Sequence, residues 1–186
     1  MILPIYAFGH PILRKETEEI EDDYPELKKL LDDMFETMYH SKGMGLAAPQ
    51  IGRNIRIFVV DTLQLDADDR DETASEFIKE VFINPIVIEE SGDKWEYEEG
   101  CLSIPDVRGN VIRPPQIRIE YYNSDFKLID KVFDGITARV IQHEYDHLEG
   151  ILFVDLLKPL KKRFLKKRLD KIQKGITDAS YRLIFK

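Results

Sequence analysis

The chain has 186 residues, 33% charged and 43% hydrophobic, with ten Phe, eight Tyr and one Trp. That length suits one domain with a core large enough to need no staple, and so many aromatics exclude a wholly disordered chain. A single Cys excludes an internal disulfide, and apolar runs of about six residues fall far short of the ~20 that a membrane helix needs. The net charge is −8. Residues 158–174 carry nine Lys/Arg and one Asp, which leaves −16 on the rest, and residues 61–76 hold seven acids against one Arg. An acidic body with a basic end raises the question of a partner as well as of an activity.

The start, Met1-Ile2-Leu3-Pro4-Ile5-Tyr6, has neither the basic region of a signal peptide nor the composition of a transit peptide. With one thiol, the expectation is a reducing cytoplasm. Leu27, Leu30, Leu31, Met34 and Met38 recur at helical spacing. Pro25 then stands at the first helical position, Asp23 or Tyr24 caps the helix, and Gly43 ends it. Ile55–Val60 reads as a strand, and the Asp-rich stretch Thr62–Ser75 as an exposed loop. Val81–Glu89 is a strand with Asn84-Pro85 forcing a bulge or an edge, and Lys94–Glu98 is a half-exposed strand. Ile117–Tyr122 and Leu128–Phe133 flank Asn123-Ser124-Asp125 as a hairpin. Asp134 caps a helix that runs to about Leu148 and closes at Gly150, and a last helix covers about Pro159–Gln173. Strands and helices are segregated, so the predicted class is α+β, in a single domain over residues 1–186.

The strongest local signal is Gln142-His143-Glu144-Tyr145-Asp146-His147. In a helix, His143 and His147 stand one turn apart on one face, about 5–6 Å from each other, which suits a shared metal. Glu144 lies one step round, free to act on a water. The bland alternative is a packed core histidine pair. Ile136, Val140, His143 and His147 form one stripe, and buried imidazoles want a partner, which favours the metal. A third ligand is then required. No Glu follows Glu149, and Phe153 stands where one protease class would carry its third His. The ligand therefore comes from upstream or is an Asp such as Asp155. Cys101, in Glu99-Gly100-Cys101-Leu102-Ser103, is the leading candidate, with Gly100 allowing close backbone approach. A third segment, Gly43-Met44-Gly45-Leu46-Ala47-Ala48-Pro49-Gln50, is a thin-walled loop in which Gln50 is the side chain able to donate hydrogen bonds.

These three segments together resemble the motifs of the peptide deformylases: a Gly-rich loop ending in Gln, a Glu-Gly-Cys-Leu-Ser segment and a Gln-His-Glu-x-Asp-His helix. They stand in the family's order, and the resemblance covers about residues 1–160, with Pro11-Ile12-Leu13-Arg14 similar to the family's N-terminal segment. The resemblance implies a fold with a central HExxH helix packed among antiparallel or mixed sheets, an N-terminal helix and a basic C-terminal helix. It implies removal of the formyl group from the N-terminal formyl-methionine of new polypeptides. Cys101, His143 and His147 become the metal ligands, Glu144 the general base and acid, and Gln50 and the Leu102 amide the oxyanion donors. Native Fe²⁺ is implied, with Ni²⁺, Co²⁺ or Zn²⁺ able to replace it, although the ligand set alone would suggest zinc. Gly43, Met44, Gly45, Gly100, Arg108, Ile136 and Val140 are the expected substrate contacts. Glu99 and Arg113 are expected to pair and fix the Cys101 segment, and Asp146 and Gln142 to anchor the helix. Leu160, Phe164, Leu165, Leu169 and Ile172 are expected to pack the last helix on the body, while its basic face is either a solubilising outer surface or a handle that docks on the ribosome, as the resemblance implies. No DNA or membrane partner is expected. The Asp-rich loop near Asp66–Asp71 looks longer than in many members, and the tail after Gly175 matches no motif.

The competing class is a ribosome- or RNA-binding protein with a structural metal. It is disfavoured because a structural zinc site is normally closed by four protein ligands and needs no general base. A general metallopeptidase would lack its downstream ligand.

Overall fold

The first helix, α1, spans Leu27–His40 and turns Leu31, Met34 and Met38 into the core, in a computed structural model that describes residues 1–65 and 74–186. Its start differs from the sequence expectation. Glu26 precedes it in the left-handed region (φ 54°) with no side-chain cap, and Pro25 lies in the turn before. Its end differs too. Lys42, not Gly43, takes the left-handed position (φ 59°), and the Gly43 N–H closes back on the Met38 carbonyl at 2.9 Å. Gly43 thus still closes the helix, through its N–H and one position beyond the left-handed residue.

Five strands form an antiparallel sheet in the order β2 (Gly45–Ala47), β3 (Ile57–Asp61), β4 (Lys79–Ser91), β7 (Gln116–Tyr122) and β8 (Leu128–Asp134). Ile55 stays outside β3 and bridges Glu18 instead. The β4 register shifts between Ile83 and Ile86, where Asn84 adopts φ 48° and proline removes a ladder donor. Asn123 closes the β7–β8 hairpin by accepting the N–H groups of Asp125 and Lys127, each at 3.0 Å. Thr62, expected to be exposed, is fully buried and ties its N–H to Ile78 at 2.8 Å. The acidic run at 66–73 lies outside the described residues.

A second hairpin pairs β5 (Trp95–Cys101) with β6 (Ile104–Arg113). The sequence reading had no β6. Pro105, Gly109 and Asn110 look like turn residues there, yet burial alternates from Pro105 to Arg113. Helix α2 (Gly135–Leu148) packs against β2, β3, β7 and β8. Asp134 precedes it without capping it: its carboxylate accepts the Ser75 N–H at 2.6 Å. Gly150, in the left-handed region (φ 69°), lies so near Arg14 that a Cβ would meet its backbone at 2.8 Å.

Helix α3 (Pro159–Gln173) buries Ile172 and half-buries Leu165 and Leu169. Leu160 and Phe164 do not pack on the body as expected; they are 66% and 74% exposed. The tail then returns, and β9 (Leu183–Ile184) joins β1 (Ile5–Tyr6) in parallel. Among the described residues no helix is long and apolar enough to cross a membrane. Helices and antiparallel sheets are segregated, so the α+β expectation holds.

Candidate active site

Cys101 ends β5, and its Cα partner across the hairpin is Ile104, so Leu102 and Ser103 form the two-residue tip. That tip faces α2. Its helical spacing sets His143 and His147 with ring centroids 5.2 Å apart and planes at 76°. Cys101 Sγ lies 3.2 Å from His147 Nε2, and one donor atom from each of Cys101, His143 and His147 falls within 4.8 Å of the others. The structure thus gathers three donors from two distant segments. Asp155, the other candidate ligand, is elsewhere: it pairs with Arg14 and accepts the Leu152 N–H at 2.9 Å.

Buried polar groups set how these donors are held. Glu99, 5% exposed, receives a two-pronged bond from Arg113 (Nε–Oε1 2.7 Å, Nη2–Oε2 3.0 Å) and one from Arg139 at 3.1 Å. Its Oε2 also lies 2.9 Å from His143 Nδ1. Arg113 continues to Asp146 at 2.7 Å, and Gln142 Nε2 donates to Glu90 and to the Pro114 carbonyl. Burial alone would raise the Glu99 carboxyl, but His143 and Arg113 hold it well below the usual carboxylate range. Arg139 was not singled out in the sequence. It reads there as an ordinary helix cation, yet it is 2% exposed beside Glu99 and stacks over Trp95.

The protonation pattern suits a bound cation. Burial holds His147 well below the ordinary histidine range, so its ring is a neutral donor. Burial would lower His143 too, but Cys101 and Glu99 on its two sides draw it up, which marks a place that attracts positive charge. Cys101, His143 and His147 offer one sulfur and two imidazole nitrogens, a donor set suited to a divalent cation. The residues present therefore fit a metal.

Glu144 is 4% exposed, and among the described residues its Oε2 has no hydrogen-bond partner. Burial, the largest cause, pushes its carboxyl up to about 7. Such a value suits a group that takes and returns a proton near neutrality. Gly45 leaves it room: a Cβ there would stand 2.5 Å from Glu144 Oε1. Gln50 sits in a single 3₁₀ turn, Ala48–Ile51, with its Oε1 accepting the Ala47 N–H at 2.8 Å. Its Nε2 is thereby aimed at Cys101 Sγ (3.5 Å) and Ser103 Oγ (3.3 Å).

All of this opens on a cleft of about 460 Å³. Gly43, Met44, Gly45, Gln50, Gly100, Cys101, Leu102, Arg108, Ile136, Val140, His143 and Glu144 line it; His147 is buried behind Cys101. Arg108 stands at the exposed rim, 3.9 Å from Glu98. A Cβ on Gly100 would meet only ordinary contacts, the nearest at 3.6 Å, so no part of the chain itself requires glycine there. The cleft has one wall the sequence reading missed: Asp178, Ala179, Ser180 and Tyr181. No local motif marks them, because fifty or more residues separate them from the nearest site element other than α2.

Comparison with known proteins follows the same line. The model of the polypeptide deformylase family matches residues 2–163. A peptide deformylase of Cytophaga hutchinsonii is 53% identical over 185 residues, covering 100% of this chain and 98% of the relative. One from Flavobacterium johnsoniae is 51% identical over 190 residues, covering 100% and 96%. Among solved structures, the peptide deformylase of Ehrlichia chaffeensis superposes with a TM-score of 0.83 at 33% identity, covering 94% of this chain and 98% of that one. That of Plasmodium falciparum gives 0.80 at 35% identity, covering 92% and 95%. With three motif segments converging on one cleft and relatives of this similarity over its full length, the chain belongs to the peptide deformylases, the hydrolases that remove the formyl group from the N-terminal formyl-methionine of nascent polypeptides.

Proposed function

We propose that the chain performs deformylation with Cys101, His143 and His147 holding one Fe²⁺, which Ni²⁺, Co²⁺ or Zn²⁺ can replace. The observation that carries this is the convergence of the three donors on a cleft that also holds a buried carboxylate oxygen of Glu144 with no partner among the described residues. When bound, the cation polarises the formyl oxygen and makes a water more acidic.

The remaining work falls to the protein. Glu144 accepts the proton of the attacking water as its oxygen bonds to the formyl carbon. The same carboxyl then delivers that proton to the methionine nitrogen as the C–N bond breaks, so that formate and a free amine leave. Gln50 Nε2 and the Leu102 N–H face the developing oxyanion, and losing one such donor typically costs about 10²–10³ in turnover. Because β2 is the edge of its sheet, the peptide can add to it as an extended strand along Gly43–Leu46. Met44, Ile136, Val140 and His143 offer the methionine side chain an apolar surface. Gly100 and Arg108, which pair across the β5–β6 hairpin, flank the peptide beyond it.

Formate release from a formyl-methionyl peptide by anaerobically purified, Fe²⁺-loaded protein tests this reading. Glu144→Ala should abolish release while retaining the metal. Equal turnover with zinc and iron would overturn the iron assignment.

The same reading places the enzyme in the cytoplasm, at the ribosome. Support comes from α3, where Lys161, Lys162, Arg163, Lys166 and Lys167 surround exposed Leu160 and Phe164. Phosphate contacts release counterions, so ribosome binding should weaken steeply with salt; binding indifferent to salt would refute the electrostatic part.

A further inference from the structure

The tip that carries Cys101 and Leu102 is pinned by both ends of the chain. In a two-residue hairpin connection the tip carbonyls have no ladder partner. Here each has one from outside the hairpin. The Ser103 carbonyl accepts the Phe8 N–H at 2.8 Å, just beyond β1. The Leu102 carbonyl accepts the Tyr181 hydroxyl at 2.7 Å, just before β9. Because β1 and β9 pair with each other, the two pins form one clamp.

Other contacts tighten it. The Leu102 side chain lies against Gly43, where a Cβ would meet its Cδ1 at 2.7 Å. Arg168 of α3 reaches Asp106 at 2.7 Å, and Thr177 Oγ1 lies 3.4 Å from the same carboxylate, which ties the tail to β6. Burial pushes the Tyr181 phenol above its ordinary range, so it stays a donor at working pH.

We propose that Tyr181 is a positioning residue for deformylation: by holding the Leu102 carbonyl its hydroxyl restrains the Leu102 backbone on the far side of the Cα from the Leu102 N–H, and so keeps that N–H and Ser103 Oγ, the support of Gln50 Nε2, where the oxyanion forms. This rests on the assignment of Gln50 and the Leu102 amide as oxyanion donors. A purely structural tail would affect stability and not the transition state.

The experiment compares full-length Tyr181→Phe and Gln50→Ala with the unmodified enzyme on formyl-Met-Ala-Ser. Misplacement of a catalytic group by about 1 Å can cost 10²-fold, so loosening one pin should lower kcat roughly tenfold. KM should stay within about twofold, the pattern of an interaction made in the transition state. In the zinc-loaded, diamagnetic protein, ¹⁵N order parameters at Leu102 and Ser103 should fall from about 0.85 toward 0.6 while those of β3 hold. If Gln50→Ala lowers kcat and Tyr181→Phe does not, Tyr181 has no positioning role and the oxyanion assignment stands. If neither lowers it, the oxyanion assignment itself fails. A rise in KM at constant kcat, or loosening shared equally by β3, would also overturn the proposal.

Discussion

His143 turns Nδ1 toward Glu99 Oε2 at 2.9 Å, which leaves Nε2 for the side where Cys101 stands. The carboxylate selects the tautomer, and it is itself gripped by Arg113 and Arg139. Glu99→Gln keeps the shape but removes the charge that favours the Nδ1–H form. Losing such an outer partner typically costs about 10–100-fold in metal affinity. Competition against a chelator of known affinity should show that loss, and an unchanged affinity would remove Glu99 from the metal site.

Glu144, the proposed carrier of the proton, is an unusual carboxyl, buried and pushed up to about 7. Glu144→Gln should lower kcat by about 10²–10⁴ with metal content unchanged. A pH signature accompanies it in chelator-treated protein. The folded carboxyl sits near 7 and the unfolded one near 4.5, so folding binds a proton between those values. Wild-type stability from this group is therefore full below about 4.5 and declines as pH rises toward 7. The glutamine variant has no such loss, so its thermal midpoint relative to wild type should rise from pH 5 to pH 8. A difference flat across that range would contradict the burial argument.

Gly45 is set by the same carboxylate. A Cβ at this position would lie 2.5 Å from Glu144 Oε1 and 2.6 Å from its Cγ. Either β2 or Glu144 must then move, and displacement of a catalytic base by about 1 Å can cost 10²-fold. Gly45→Ala should thus lose about that much kcat while its circular dichroism spectrum stays native. Near-normal turnover would mean the base tolerates the shift.

Arg113 allows a test of buried against exposed ion pairs. It is 6% exposed and links Glu99 to Asp146. Arg113→Ala leaves the half-buried Asp146 without its guanidinium and buried Glu99 with Arg139 as its one arginine, and should cost about 3–5 kcal/mol in urea unfolding. Arg118→Ala breaks the exposed, two-pronged pair with Asp130 and should change stability far less. Equal effects would show that the Glu99 network contributes little.

How much of this was legible in the residues depends on range. The histidine pair needs only the 3.6-residue helical period, so the spacing of His143 and His147 could be read directly. The strand and helix segregation that marks the α+β class follows from hydrophobic periodicity, and the bulge at Asn84-Pro85 from proline's missing N–H. Errors clustered where local rules meet tertiary contacts. Pro25 and Asp134 looked like helix-start residues, but Glu26 takes a left-handed turn and Asp134 binds Ser75 instead. Strand β6 was hidden because Gly109 and Pro105 mimic a turn, although Gly109 is small for another reason: a Cβ would meet Leu157 at 2.7 Å. Leu160 and Phe164 have the period of a packed face yet stay exposed, since periodicity shows a stripe without showing what covers it.

By itself the sequence determined the class, the donor chemistry and the order of three motifs, because residue type and spacing carry those within a few turns of chain. Tertiary structure decided which donors meet. It brought Cys101 to His147 across 46 positions, put Asp155 on Arg14, buried Arg139 under Glu99 and closed the cleft with Tyr181. Such contacts join segments far apart in the chain, where no local pattern distinguishes a partner from any other residue of its type.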